Sequence, residues 1–112
     1  MPHIEIKYSN NLALPIEALF SDLEKAINAI DSSAGACKSR AYPAAEFLHT
    51  HVLVQVCLLQ KPHRDEAFTQ KMVLALSGCI QSHLTEVCYF SLDVQYMPMH
   101  YLTMSFSPQQ AE

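Results

Sequence analysis

Pro2 is the first residue of this chain whose position gives it a chemistry of its own. If Met1 is removed, as is usual before a small second residue, Pro2 carries a free secondary amine. An ordinary α-amino group titrates near pH ~7.7–8.0. Desolvation and neighbouring cations push such a value down and leave a neutral base at working pH. The plainer alternative is that a second-residue proline only starts a strand. Lys38 and Arg40 stand two apart in a short extended stretch, so both side chains leave on one face. Such a pair makes a carboxylate clamp, with Arg supplying bidentate geometry and Lys a point charge. It also reads as charge that blunts a sheet edge against aggregation. Arg64 stands at the turn into a predicted helix, where its guanidinium can join free backbone N–H groups in facing an anion. Paired instead with Asp65 or Glu66 at the surface, it would contribute little.

Other chemistries have weaker support. His49, Thr50 and His51 would put two imidazoles on one face if extended, but two histidines lack the further ligands zinc requires, and no cysteine spacing supplies them. No metal site is therefore expected. His83 lies near a helix stripe and reads as a satisfied boundary histidine. No serine or cysteine nucleophile has a supporting context, and the two glycines are not placed to form a phosphate loop.

These residues must be positioned by the elements around them. Ile4, Ile6 and Tyr8 alternate with His3, Glu5 and Lys7, the pattern of a strand with one apolar face. Pro15 then fits the first turn of a helix carrying Ile16, Leu19, Phe20, Leu23, Ile27 and Ile30 on one stripe. Asp31 to Gly35 ends it, and residues 37–42 form a second strand, stopped by Pro43. Strand, helix and strand in so few residues imply a right-handed crossover and a parallel pair. The pattern repeats. Residues 51–60 are nearly continuous apolar, as in a strand buried on both faces. Asp65 is an N-cap candidate for a second helix whose stripe runs from Phe68 through Met72, Leu76 and Ile80 to Val87. Within it Gly78 costs about 1 kcal/mol relative to Ala, with close packing as one reason for its presence. Phe90, Leu92, Val94 and Tyr96 alternate in the last strand. The expected architecture is α+β: a two-layer sandwich of four strands with both helices on one face.

Composition sets the outer bounds. A chain of 112 residues makes one domain over 1–112, with its core at about 2–97 and a tail at 98–112. Half the residues are hydrophobic and 16% charged, an apolar balance that predicts burial of the second sheet face between subunits. The tail is read as a subunit clasp or as partly disordered. The formal charge of −4 argues against nucleic acid or an anionic membrane as partner, and any anion site must be a local cluster. Cys37, Cys57, Cys79 and Cys88 read as reduced, buried thiols rather than a disulfide framework. Glu5 and Lys7 interrupt any signal-peptide core, and no run is long enough to span a bilayer, so a cytoplasmic protein is expected.

Met1-Pro2-His3, Tyr8-Ser9-Asn10-Asn11-Leu12, Lys38-Ser39-Arg40-Ala41 and His63-Arg64-Asp65-Glu66 recur in this order in one family. From Pro2 to about Tyr96 the chain resembles 5-carboxymethyl-2-hydroxymuconate isomerase, of the tautomerase superfamily. The resemblance implies a cofactor-free, homotrimeric isomerase acting on an unsaturated 2-hydroxy or keto polycarboxylic acid. Pro2 would be the general base, Arg64 would share in catalysis, and Lys38 and Arg40 would bind the anionic substrate. Two departures bear on specificity: His63 stands where the family often has glycine, and Lys38 where some members have arginine. Two alternatives stay open. One is a dehalogenase of this fold, with Glu5 or Glu46 activating water. The other is a non-enzymatic oligomeric protein that binds a small ligand.

Overall fold

Alternation decides which side of each strand is wet. In the computed structural model, which describes residues 1–108, the elements are β1 (His3–Ser9), α1 (Ile16–Ile30), β2 (Lys38–Ala44), β3 (His51–Leu58), α2 (Glu66–Gln81) and β4 (Tyr89–Tyr96). The last four positions of the predicted tail lie outside the described residues. One four-stranded sheet has the order β2-β1-β3-β4. β1 pairs parallel with β2, and β3 with β4, while the central β1–β3 contact is antiparallel. The two expected strand–helix–strand units thus meet along their first strands, an order the sequence reading left open.

The core lies between sheet and helices. Ile4 and Ile6 of β1 and Val52, Val54, Val56 and Leu58 of β3 are buried, facing Leu19, Leu23 and Ile27 of α1 and Met72, Leu76 and Ile80 of α2. The spacing of these helix residues puts each set on one stripe. Asp65 caps α2 as predicted, accepting from the Phe68 N–H at 2.9 Å.

The structure differs from the sequence reading at several points. β3 is not buried on both faces: its burial alternates residue by residue. The face turned away from the helices is polar, with Lys7 Nζ donating to Gln55 Oε1 at 3.0 Å and Arg40 Nε to Glu5 Oε2 at 3.1 Å. Its composition therefore does not by itself demand a covering subunit. Pro43 lies inside β2 rather than ending it, paired in register with Tyr8. An edge strand has one unpaired side, so the missing N–H is tolerated there. Pro15 sits one place before α1, at the N-cap. Helix α2 ends at Gln81, and Val87 is almost wholly exposed. The four cysteines are free and half-buried. His83 is satisfied as expected, by Asp22 Oδ2 at 2.8 Å.

Gly78 is not explained by close packing, because a Cβ there would meet nothing within 4 Å. Replacing Gly78 by Ala is expected to stabilise the protein by about 0.5–1 kcal/mol through the backbone term alone. Urea unfolding of the two forms measures this, and an unchanged midpoint would show that the side chain meets some obstacle.

Candidate active site at the amino terminus

Parallel pairing within each unit and antiparallel pairing between units bring unlike chain segments to one end of the sheet. The starts of β1 and β2 lie there with the ends of β3 and β4. His3 is in register with Lys38 on one side and Cys57 on the other. One step further, Pro2 falls between Cys37 and Leu58, and its carbonyl accepts from the Lys38 N–H at 2.9 Å. Pro2 is buried, on the same side of β1 as Ile4 and Ile6. The end of α1 and the turn into α2 complete this rim.

The rim is held by Asp31, the residue that closes α1. Asp31 is buried and accepts from Arg64 Nε at 3.0 Å, His63 Nε2 at 2.7 Å and the Ser33 N–H at 3.0 Å, with the Ser33 hydroxyl adding a further bond. The second guanidinium contact, Arg64 Nη2 to Asp31 Oδ2, is 2.8 Å long. Arg64 Nη1 donates to the Leu59 carbonyl at 2.8 Å, which fixes the turn between β3 and α2. Burial by itself would raise the Asp31 carboxyl pKa. Hydrogen bonds from Ser33, His63 and Arg64 outweigh it and hold the group well below the usual carboxylate range.

Lys38 and Arg40 leave the sheet on one face, as their spacing predicts. Lys38 Nζ donates to Thr103 Oγ1 at 2.9 Å. Arg40, with half its side chain in solvent, bonds Glu5 and lies 3.2 Å from His3 Nδ1. The His3 pKa is lowered by burial and by the charges of Lys38 and Arg40, which outweigh Glu5. Lys61 Nζ donates to the carbonyl and hydroxyl of Ser33 at 3.3 and 3.1 Å. The amino group of Met1 has its pKa lowered, first by burial and then by the charges of Lys38, Lys61 and Arg64. Three cations thus bear on the start of the chain.

The tail crosses the same end. The Met97 N–H donates to the Leu58 carbonyl at 2.7 Å, Tyr101 Oη lies 2.9 Å from His3 Nε2, and Thr103 receives Lys38. It therefore touches β3, β1 and β2 in turn. A recess of about 630 Å³ lined by Leu59, Gln60, Tyr96, Met97, Met99 and Tyr101 opens beside it.

Of the residues singled out from sequence, Pro2, Lys38 and Arg64 come together. Arg40 lies one step further along the open face. Glu46 follows β2 at the opposite end of the sheet, where Ser9 pairs with Ala44. His49 has a left-handed backbone (φ 65°), which breaks the extended run needed to set it beside His51. Among the described residues no group of three or more His, Cys, Asp or Glu side chains is assembled. Asp31, Lys61, Tyr101 and Thr103 were not anticipated. Asp31 did carry a signal, since an acid at a helix carboxyl end faces the wrong pole of the macrodipole and needs other partners.

A parallel–antiparallel–parallel sheet under two helices is an arrangement shared with solved proteins. The chain has the tautomerase fold. A 5-carboxymethyl-2-hydroxymuconate delta-isomerase superposes with a TM-score of 0.72 at 18% identity, over 99% of this chain and 91% of that one. The corresponding isomerase from Deinococcus radiodurans R1 gives 0.74 at 18% identity, over 95% and 90%. FG41 malonate semialdehyde decarboxylase, inhibited by 3-bromopropiolate, gives 0.61 at 11% identity, over 96% and 92%. No family model and no curated protein sequence matches the chain. The tautomerase fold thus extends over nearly all of this chain, at an identity that leaves the reaction to be argued from the site.

Replacing Asp31 by Asn removes the charge that balances buried Arg64 and is expected to destabilise the protein by about 3–5 kcal/mol at pH 7. The folded pKa of Asp31 is depressed, so its contribution is fully present above the unfolded value of ~3.9 and is lost as pH falls below it. The gap between wild type and Asp31→Asn should accordingly narrow on acidification. Denaturant titrations at pH 7 and pH 3 test this, and a gap that stays constant would contradict the assignment.

Proposed function

We propose that this protein is a cofactor-free isomerase of the tautomerase type, acting on an unsaturated 2-hydroxy or keto acid with more than one carboxylate. The observation that carries the reading is the burial of Pro2 at the start of β1, bonded to the Lys38 backbone, at an end of the sheet where Lys38, Lys61 and Arg64 add to burial in lowering the pKa of the adjoining Met1 amino group. With Met1 removed, the base is the secondary amine of Pro2. With Met1 in place, the Pro2 nitrogen is an amide and has no basicity.

The neutral amine removes the proton of the 2-hydroxyl. The oxygen becomes a carbonyl, the conjugated electron pairs shift along the chain, and the distal carbon takes the same proton back from the ammonium. No electron leaves the substrate, so the step needs no redox partner. Negative charge spreads over the dienolate in the middle of this sequence, and fixed cations stabilise it there. Lys38 lies next to the amine through the β1–β2 pairing and holds the nearer carboxylate. Arg40 receives the farther one; its pair with Glu5 is half in solvent and worth little, so a substrate anion can take its place. Arg64, buried and bonded to Asp31 and the Leu59 carbonyl, contributes through its charge on the amine rather than by direct contact with substrate. The active form is a homotrimer, as the fold resemblance implies. The exposed tail residues Met99, Leu102, Met104 and Phe106 support burial against further copies.

A base of this kind must be neutral in the free enzyme, so kcat/KM should rise with pH and level off above the Pro2 pKa. Burial and the surrounding cations place that midpoint below the ~7.7–8.0 of an ordinary α-amino group. The pH–rate profile on a 2-hydroxymuconate-type dienol, set beside an NMR titration of the amine, measures both. A rate that falls through the amine pKa would refute the base assignment, and so would equal turnover by Met1-retaining protein. Light scattering at micromolar concentration should give the trimer mass; a monomer mass would refute the assembly.

A further inference from the structure

We propose that Lys61 is a carboxylate-binding residue of this site, working opposite Lys38 across the amino terminus. Arg64 is then the positioning residue that sets the turn carrying Lys61. The inference rests on the reading of the Pro2 end as a polycarboxylate site.

The strand register supplies the geometry. β1 is the only strand with Lys38 on one flank and the β3 chain that leads to Lys61 on the other. Pro2 falls opposite Leu58 by the antiparallel register, and Lys61 follows three residues later. The turn between them is rigidly specified. The Arg64 N–H donates to the Lys61 carbonyl at 2.9 Å and the Arg64 side chain to the Leu59 carbonyl at 2.8 Å. The path of residues 59–64 is thereby tied to the buried Asp31 pair.

Charge separates the three cations. Arg64 is paired with Asp31, and its side chain is only 2% exposed, so it is closed to direct contact with a substrate. Lys61 is half-exposed, and its ammonium touches only the neutral oxygens of Ser33. Lys38 likewise meets a hydroxyl, that of Thr103. Among the described residues neither lysine forms a salt bridge. The other acid at this rim, Glu24, is occupied by the Cys37 N–H at 2.7 Å. Two ammonium groups thus flank the chain start with their charge unmatched, and hydroxyl partners are readily exchanged for a carboxylate, whose charge-assisted bonds are the stronger ones. An ammonium on a flexible stem can also follow a substrate whose second carboxylate moves as its double bonds shift.

The test uses the Pro2-processed protein and Lys61→Gln, which keeps the stem and a donor for Ser33 but removes the charge. Binding of adipate, an unreactive six-carbon dicarboxylate, is measured by calorimetry, together with kcat/KM on a dicarboxylate dienol. Loss of a charged hydrogen bond should weaken adipate binding about tenfold or more in Lys61→Gln, with Lys61→Arg largely restoring it. Lys25→Gln, an exposed change on α1, should leave binding unchanged. KM for the dicarboxylate should rise while the pH midpoint of the amine moves down less than it would if Lys61 were intact. Binding that is unaltered in Lys61→Gln, or absent from the wild type, overturns the proposal. Lys61-dependent binding without turnover by the wild type would leave the carboxylate site standing and remove the isomerase reading instead.

Discussion

A single carboxylate settles the shape of the cationic rim. Asp31 lies buried where a helix ends and would be unstable there without partners. Its partners come from two segments: Ser33 from the loop into β2, and His63 and Arg64 from the turn into α2. Those segments belong to different halves of the molecule, so the contact ties the two strand–helix–strand units at the end where their chains are least regular. A buried pair of this kind is weak as a source of net stability, because both ions give up water. Its value is directional. Once Arg64 is committed to Asp31 and Leu59, the turn has little freedom, and what it presents to the amino terminus is Lys61.

The same economy of position appears in the sheet. One face carries branched aliphatic residues against the helices, and the other carries two polar pairs, Lys7 with Gln55 and Arg40 with Glu5. A chain with formal charge −4 can therefore still offer a cationic rim, because net charge says nothing about where charges lie. The described part of the tail adds to this end without adding charge. It supplies hydroxyls, from Tyr101 to His3 and from Thr103 to Lys38.

Most of the architecture was legible because it depends on short-range pattern. Alternation in residues 3–8 and the apolar stripes of Leu19, Leu23 and Ile27 or Met72, Leu76 and Ile80 leave little choice of element, and short connections leave little choice of pairing. Boundaries were less legible where a residue's tolerance depends on its neighbours. Pro43 ends a central strand but sits inside an edge one, and nothing local says which strand is at the edge. The apolar run of β3 concealed its alternation, since Leu53 and Cys57 face the wetter side. At the site, Pro2, Lys38 and Arg64 could be named from residue type and spacing. The Asp31 network could not, for it joins residues about thirty positions apart through a turn whose path is fixed only by the fold.

The antiparallel contact at the centre gives the sheet an approximate twofold axis. The backbone bond from Lys38 N–H to the Pro2 carbonyl, 2.9 Å long, has its counterpart in the bond from Tyr89 N–H to the Thr50 carbonyl, 3.0 Å long. The second mouth is lined by His49, Thr50, Val87, Cys88 and Tyr89, around a hollow of about 380 Å³. The two ends are therefore near-copies in backbone and unlike in side chains, Lys38 at one standing where Tyr89 stands at the other. Under the proposed reaction the difference lies in one residue: only the first mouth holds a proline that removal of Met1 would turn into a secondary amine. On that reading an unequal division of labour would follow from the direction of the chain rather than from its fold.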